Sequence, residues 1–138
     1  MKTEKNPMAG ETGDILKNIE AEKSVLGAII IDNNVLIDLN GGLAADDFFL
    51  GEHQIIMAGI LSLYEKHQPI DFLTLSNELT MAGKLKEVGG STYLTELTNF
   101  VPSTTHARAY AKILKHNSLR RKLLKAGDDI AHLANDGE

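Results

Sequence analysis

Apolar residues recur every three or four positions through most of the chain, and this spacing limits it to an α-helical fold. The first such face consists of Ala21, Val25, Leu26, Ile29 and Ile30. Residues three or four apart lie on one face of a helix, whereas a half-buried strand needs strict alternation of apolar and polar residues. The chain has no run of such alternation. The sequence therefore predicts an all-α protein.

Capping and turn residues divide the pattern into about five helices that form a compact head. Asn18, Asp71 and Ser91 are suited to helix N-caps, while Pro69 and Gly83 are suited to helix ends. These signals predict helices at residues 18–31, 34–39, 51–67, 71–82 and 91–99. The later helices are expected to turn five residues toward the core: Phe72, Leu75, Leu79, Leu94 and Leu97.

The longest helical pattern follows the head. It opens at Pro102-Ser103 and reaches about residue 135, which corresponds to roughly 50 Å at about 1.5 Å per residue. The predicted organisation is a polar, disordered tail at 1–14, a helical head at 15–100 and a long helix at 101–138.

The apolar face of the long helix changes direction part-way along. Ala107, Ala111 and Leu114 share one face, and five steps of about 100° from Leu114 to Leu119 turn the next face by roughly 140°. The second face is spaced 4, 3, 4, 3 and consists of Leu119, Leu123, Ala126, Ile130 and Leu133. A break with Ser118 as a new N-cap would place basic residues at the wrong end of the helix dipole. We therefore expect one continuous helix that faces two different neighbours.

Composition and charge exclude several classes of function. The net charge is −5, with −8 in residues 1–100 and +3 in residues 101–138, so the acidic head disfavours non-specific binding of nucleic acid. The chain has no Cys, which excludes disulfides and thiolate zinc sites and fits a cytoplasmic protein. No apolar run approaches the roughly 20 residues of a membrane span, and the N-terminus lacks the apolar region of a signal peptide.

No group of residues predicts an active site or a metal site. The phosphate-binding pattern G-x-x-x-x-G-K-[ST] is absent, and the five His residues lack metal-ligand spacing. Gly89-Gly90-Ser91 is typical of a turn and cap, His53 of packing or capping, and Asp46-Asp47 of solvated carboxylates. We expect no catalytic residues, no metal ligands and no cofactor within this chain.

Seven short motifs occur in an order that resembles the N-terminal domain of the DnaB-type replicative DNA helicase. Each is weak alone, but their shared order and intervals are specific. The resemblance covers roughly residues 15–135 and rests on NIEAEKSVLG at 18–27, DDFF at 46–49, HQII at 53–56, PIDFLTL at 69–75, GKLKEVGGSTYLTEL at 83–97, VPS at 101–103 and YAKIL at 110–114. The chain departs from the family in lacking a Pro before the first helix, in Asn18 where Ser is common, and in His106 where Asn is common.

This resemblance implies a helical head followed by a helical hairpin, in a protein that works as a hexameric ring. In that family the N-terminal domains pair through their hairpins into a trimer of dimers, and this collar binds primase. A separate motor domain binds ATP and Mg²⁺ and moves along DNA. We expect this chain to end before the return helix and the motor domain, and to hydrolyse nothing by itself.

Six residues are predicted to face partner subunits or primase: Tyr93, Leu119, Leu123, Leu124, Ile130 and Leu133. Arg120, Arg121 and Lys122 are predicted as contacts at the rim of that interface. The isolated fragment is expected to dimerise weakly at best. Two alternatives remain: a stand-alone helical domain that binds DNA through its basic arm, and a small enzyme with an unrecognised site.

Overall fold

Six α-helices and one short 3-10 turn make up the described part of the chain. The computed structural model describes residues 18–101 and 103–137. The helices are α1 (Ile19–Ile31), α2 (Asn34–Asp38), α3 (Gly51–Glu65), α4 (Phe72–Met81), α5 (Gly90–Phe100) and α6 (Ala107–Asp136), and the 3-10 turn spans Ala45–Asp47. No strand occurs in these ranges, which confirms the predicted all-α class. The predicted tail at 1–14 and Pro102 lie outside the described residues.

Local chemistry sets the helix ends, and two of the three predicted N-caps are confirmed. The Asn18 side chain accepts the Ala21 N–H at 2.9 Å. Asp71 accepts the Thr74 N–H at 2.9 Å, and the Thr74 hydroxyl accepts the Asp71 N–H in return. The prediction of Ser91 as a cap is wrong. Helix α5 begins at Gly90 and is preceded by Gly89, whose φ of 105° only glycine adopts readily.

Two other helix boundaries differ from the predicted ones by two residues or more, and the rest agree to within one residue. Helix α3 ends at Glu65 instead of 67, because His67 adopts a left-handed φ of 58° and the Gln68 N–H returns to the Leu63 carbonyl. Helix α6 begins at Ala107 and not at Pro102-Ser103, because the Ser103 hydroxyl accepts the Thr105 N–H in a turn.

Helix α1 lies at the centre of the head, where it packs against α3, α5 and α6. Its predicted apolar face is confirmed as buried, with Val25, Leu26 and Ile29 fully enclosed. Gly27 lets α5 approach closely, since a Cβ at this position would lie 2.5 Å from Val101 Cγ2 and overlap the Leu97 carbonyl. The core of the head is mostly aliphatic, and Phe48 is the one fully buried phenyl ring among the described residues.

Four of the five residues predicted to face inward from the later helices are buried: Leu75, Leu79, Leu94 and Leu97. Phe72 is the exception, with 40% of its surface exposed. It is the first residue of α4, and Ile70, two residues earlier, enters the core in its place.

Helix α6 is continuous over 30 residues, as predicted, and spans about 45 Å. Its first part belongs to the core of the head through Ala107, Ala111 and Leu114. Its last buried residues are Asn117 and Ser118. None of the helices in residues 18–101 and 103–137 is both long and apolar enough to cross a membrane.

Candidate protein-interaction surface

The distal half of α6 carries an apolar surface that the head does not cover. We call it the outer stripe, and it consists of Leu119, Leu123, Leu124, Ala126, Ile130 and Leu133. The five large side chains are each more than half exposed, at 54–66%. Single exposed leucines are ordinary on protein surfaces, but a contiguous apolar group marks an interaction site.

The spacing of the outer stripe suits a second helix. Steps of four and three residues keep all of these side chains except Leu124 on one side of α6 for about four turns, which is the arrangement that lets two helices interlock at a shallow angle. Leu124 lies about 100° around the helix from Leu123. The opposite side of the same turns is charged, with Lys125 and Asp129 paired at 3.3 Å and His132 3.8 Å from Asp128. The distal part of α6 is therefore amphipathic, with one side suited to water and one side suited to a protein partner.

The point where α6 leaves the head is held by a buried carboxylate, that of Asp47. Its Oδ1 accepts the Ser118 hydroxyl at 2.7 Å, and its Oδ2 accepts the Ala44 N–H at 2.8 Å. The Lys115 ammonium lies 3.2 Å from Oδ2. We call this group of contacts the Asp47 anchor.

Hydrogen bonding keeps the Asp47 carboxylate charged despite its burial. Burial would raise the pKa, but the hydrogen bonds from the Ala44 N–H, the Ser118 hydroxyl and the Lys115 ammonium outweigh burial and hold the pKa below its ordinary value of 3.8. The expectation that Asp46 and Asp47 are both solvated is thus wrong for Asp47, which is 1% exposed. Its neighbour Asp46 does face solvent.

Two of the three predicted rim residues also contact the head. The Arg121 guanidinium donates to the Asp47 carbonyl at 3.0 Å and lies over the Phe49 ring at 5.6 Å. The Lys122 ammonium is 3.7 Å from both Asp46 and Asp47. Arg120 is half-buried. The basic residues at the base of the outer stripe therefore help to fasten α6 to its own head, and their role toward a partner stays a prediction.

Tyr93 belongs to a different part of the molecule, a polar network inside the head. Its hydroxyl is 2.7 Å from His53 Nε2, and His53 Nδ1 is 2.7 Å from Glu22 Oε1. Glu22 also accepts the backbone N–H groups of Phe49 and Leu50. This network joins α1, α3 and α5, and its members Glu22 and His53 are fully buried.

The network fixes Tyr93 in its half-buried position. The Tyr93 ring stacks on the His53 ring, with centroids 5.9 Å apart and an interplanar angle of 14°. Burial raises the pKa of the Tyr93 hydroxyl, and the carboxylates of Glu96, Glu52 and Glu22 raise it further. The structure thus places Tyr93 on the head, apart from the outer stripe on the arm. Its predicted contact with a partner stays a prediction.

The described residues contain no cluster with the composition of a metal site. Within residues 18–101 and 103–137, no group of three or more His, Cys, Asp or Glu side chains is placed to hold a metal ion. The arrangement that stands out is therefore the outer stripe, which extends beyond the head.

Comparison with known proteins places the chain in a family. The family described as "DnaB-like helicase N terminal domain" matches residues 14–116. The chain belongs to this family. The expected resemblance is thereby confirmed, and the match covers the whole head and the proximal part of α6.

Individual relatives agree with this assignment. The replicative DNA helicase DnaC of Bacillus subtilis is 39% identical over 115 residues, which is 83% of this chain and 25% of that protein. The crystal structure of the N-terminal domain of DnaB helicase from Mycobacterium tuberculosis superposes with a TM-score of 0.85 at 32% identity, covering 89% of this chain and 88% of the other.

A second solved structure is described as that of a DnaB-like replicative helicase and its interactions with primase. It matches at 29% identity with a TM-score of 0.77, over 86% of this chain and 28% of the other. The chain spans about a quarter of the length of the curated relatives that it matches.

Proposed function

We propose that this chain is the collar module of a replicative DNA helicase, which pairs subunits of the hexameric ring and docks primase. The observation that carries the proposal is the outer stripe, whose five large apolar side chains stay 54–66% exposed on a helix that extends beyond the head. Family membership supports it, as does the solved relative described with its interactions with primase.

The energetics favour an interface that forms only within an assembly. Burying a large aliphatic side chain contributes about 1.5–3 kcal/mol when it starts fully exposed, and the side chains of the stripe are about half exposed. Five of them therefore contribute on the order of 5 kcal/mol, against a cost of association of about 4–15 kcal/mol. The isolated domain should pair weakly, while a ring held together elsewhere raises the effective concentration and makes the same contact stable.

We assign the contact residues as follows. Leu119, Leu123, Leu124, Ile130 and Leu133 form the apolar centre against the arm of a second copy or the return helix of a hairpin. Arg120, Arg121 and Lys122 lie at its rim, where Arg121 and Lys122 already contact the head. Tyr93 is assigned to primase, on a separate part of the head.

In our proposal, another domain of the whole protein hydrolyses ATP and unwinds DNA. The sequence has no phosphate-binding loop motif, so the ATP and Mg²⁺ used for unwinding duplex DNA are assigned to a motor domain outside this chain. The collar itself has no catalytic role. Because its relatives are replicative DNA helicases, we place the protein in the cytoplasm, where bacterial chromosomes are copied.

The test replaces two residues of the outer stripe by carboxylates, in the variant Leu123→Asp with Ile130→Asp. The matched control, His132→Asp with Asn135→Asp, adds the same charge on other sides of the same turns. Sedimentation at increasing concentration, and binding of the helicase-binding domain of primase, are measured for both variants. The stripe variant should stay monomeric and lose any primase binding that depends on pairing, while the control behaves like the unmodified domain. If the unmodified domain neither self-associates nor binds primase, or if both variants match it, the proposal fails.

A stand-alone DNA-binding role has less support. Two of the basic residues that it requires, Arg121 and Lys122, are engaged with Asp46 and Asp47 of the head. Binding of duplex or single-stranded DNA at low salt, lost as salt rises, would favour this alternative over the collar.

A further inference from the structure

The Asp47 anchor is the last attachment between α6 and the head. It includes Lys115 and Ser118, and the adjacent Arg121 and Lys122, about one helical turn after Ser118, also contact Asp47. Beyond Lys122, the ion pairs of the described side chains join only residues of α6 to each other. All described residues from Lys122 onward are exposed. The direction of α6 beyond Lys122 is therefore set by the Asp47 anchor.

The carboxylate is itself fixed to the core. Asp47 Oδ2 accepts the Ala44 N–H, and the Asp47 N–H donates back to the Ala44 carbonyl at 3.1 Å, so the side chain is tied to its own 3-10 turn. The next residue, Phe48, is completely buried. The turn cannot shift without moving the centre of the head, which makes Asp47 a rigid point of attachment.

The apolar contacts of α6 alone hold its direction less well. The buried ones are Ala107, Ala111 and Leu114, of which two are the smallest apolar side chains; the partly buried Tyr110 packs beside them, and all four precede the anchor. Without the anchor, α6 would pivot near Leu114. From Ser118 to Asp136 the helix extends about 27 Å, so a tilt of about 10° moves its end by roughly 5 Å. That is about half the usual distance between packed helix axes.

We propose that Asp47 is a positioning residue that sets the direction of the distal part of α6 and hence the orientation of the outer stripe. The direction of the helix is a property of the single chain. Only its consequence for association rests on the proposed function, because a stripe tilted by 10° no longer meets its partner along four turns.

The absence of cysteine allows a direct measurement in the whole chain. Spin labels are attached at Asn77→Cys, which is exposed on α4, and at His132→Cys, which lies opposite the outer stripe. The labelled protein is diluted in unlabelled protein so that only distances within one chain are read. Pulsed electron paramagnetic resonance then gives the distribution of the distance between the head and the arm.

Asp47→Asn keeps the shape of the side chain but removes its charge. We expect a broadened distribution or a mean shifted by several ångströms, whereas the matched variant Asp46→Asn, which removes only the exposed 3.7 Å pair with Lys122, should change the distribution much less. Ser118→Ala, which removes one bond of the anchor, should give a smaller broadening.

An unchanged distribution in a folded Asp47→Asn protein would overturn the proposal. If Asp47→Asn does not fold, Ser118→Ala decides, and an unchanged distribution there overturns it equally. The distances are measured within single chains, so an unchanged distribution would not contradict the proposed collar function. In the same way, failure of the sedimentation and primase-binding tests would not contradict the role of Asp47 in directing α6.

Discussion

The replacement Gly27→Ala tests the close contact between α1 and α5. A Cβ at Gly27 would lie 2.5 Å from Val101 Cγ2 and 3.0 Å from the Leu97 carbonyl carbon, and it would overlap the Leu97 oxygen. Ordinary contacts of this kind are about 3.4–4 Å, so α1 and α5 would have to separate by about 1 Å. Because one of the obstructing groups is backbone, a change of rotamer cannot relieve the overlap.

The expected cost follows from two opposing effects. Overpacking of a core costs about 1–3 kcal/mol, and the rigid backbone places this case at the upper end. Alanine gains about 1 kcal/mol over glycine inside a helix. The net expectation is a loss of about 2 kcal/mol in the free energy of unfolding, measured by urea denaturation followed by circular dichroism.

Gly127 provides the matched control, since it is also inside a helix but has no atom within 4 Å of a built Cβ. Gly127→Ala should therefore keep or raise stability, by up to about 1 kcal/mol. Should Gly27→Ala prove as stable as the unmodified protein, the close approach of α1 and α5 described above would be wrong.

Two further predictions concern the buried carboxylates. Glu22→Ala leaves His53 and two backbone N–H groups without an acceptor, so it should lower the free energy of unfolding by about 3 kcal/mol or more in urea denaturation. Tyr93→Phe removes one hydroxyl and should lower it by about 1 kcal/mol. Equal losses would contradict the central position of Glu22 in this hydrogen-bond network. The pKa of Asp47 is depressed in the folded state, so its contribution is present above the unfolded value of 3.8 and is lost as pH falls through the lower folded value. The difference in urea midpoint between the unmodified protein and Asp47→Asn should accordingly be constant near neutral pH and shrink below about pH 4, and a difference that grows on acidification would refute this sign.

Most of the fold was predictable because it rests on local signals. The apolar face of α1 and the caps Asn18 and Asp71 depend on residues within one or two turns, and all are confirmed. The exposure of the outer stripe was also predictable, because the apolar face of α6 turns away at Leu119 from the side that the head covers.

The polar networks were not predicted, because their partners are distant in sequence. His53 is 31 residues from Glu22, and Ser118 is 71 residues from Asp47. A signal did exist for Glu22, which stands four residues before Leu26 on the buried side of α1 and so required a polar partner. Asp47 offers no comparable signal, because a carboxylate in a short turn looks the same whether it faces solvent or a helix that arrives later in the chain.

The single uninterrupted helix that joins head and arm has a geometric consequence for length variation. Each residue inserted after Ser118 would rotate the apolar leucines by about 100° and carry them about 1.5 Å outward. One extra residue would thus point them in a wholly different direction, whereas seven, which come within about 20° of two full turns, would nearly restore their bearing while lengthening the arm by about 10 Å. The number of residues between the head and the apolar leucines therefore sets the direction in which these leucines point. The arm can change its length and keep that direction only when the insertion or deletion is close to a whole number of helical turns.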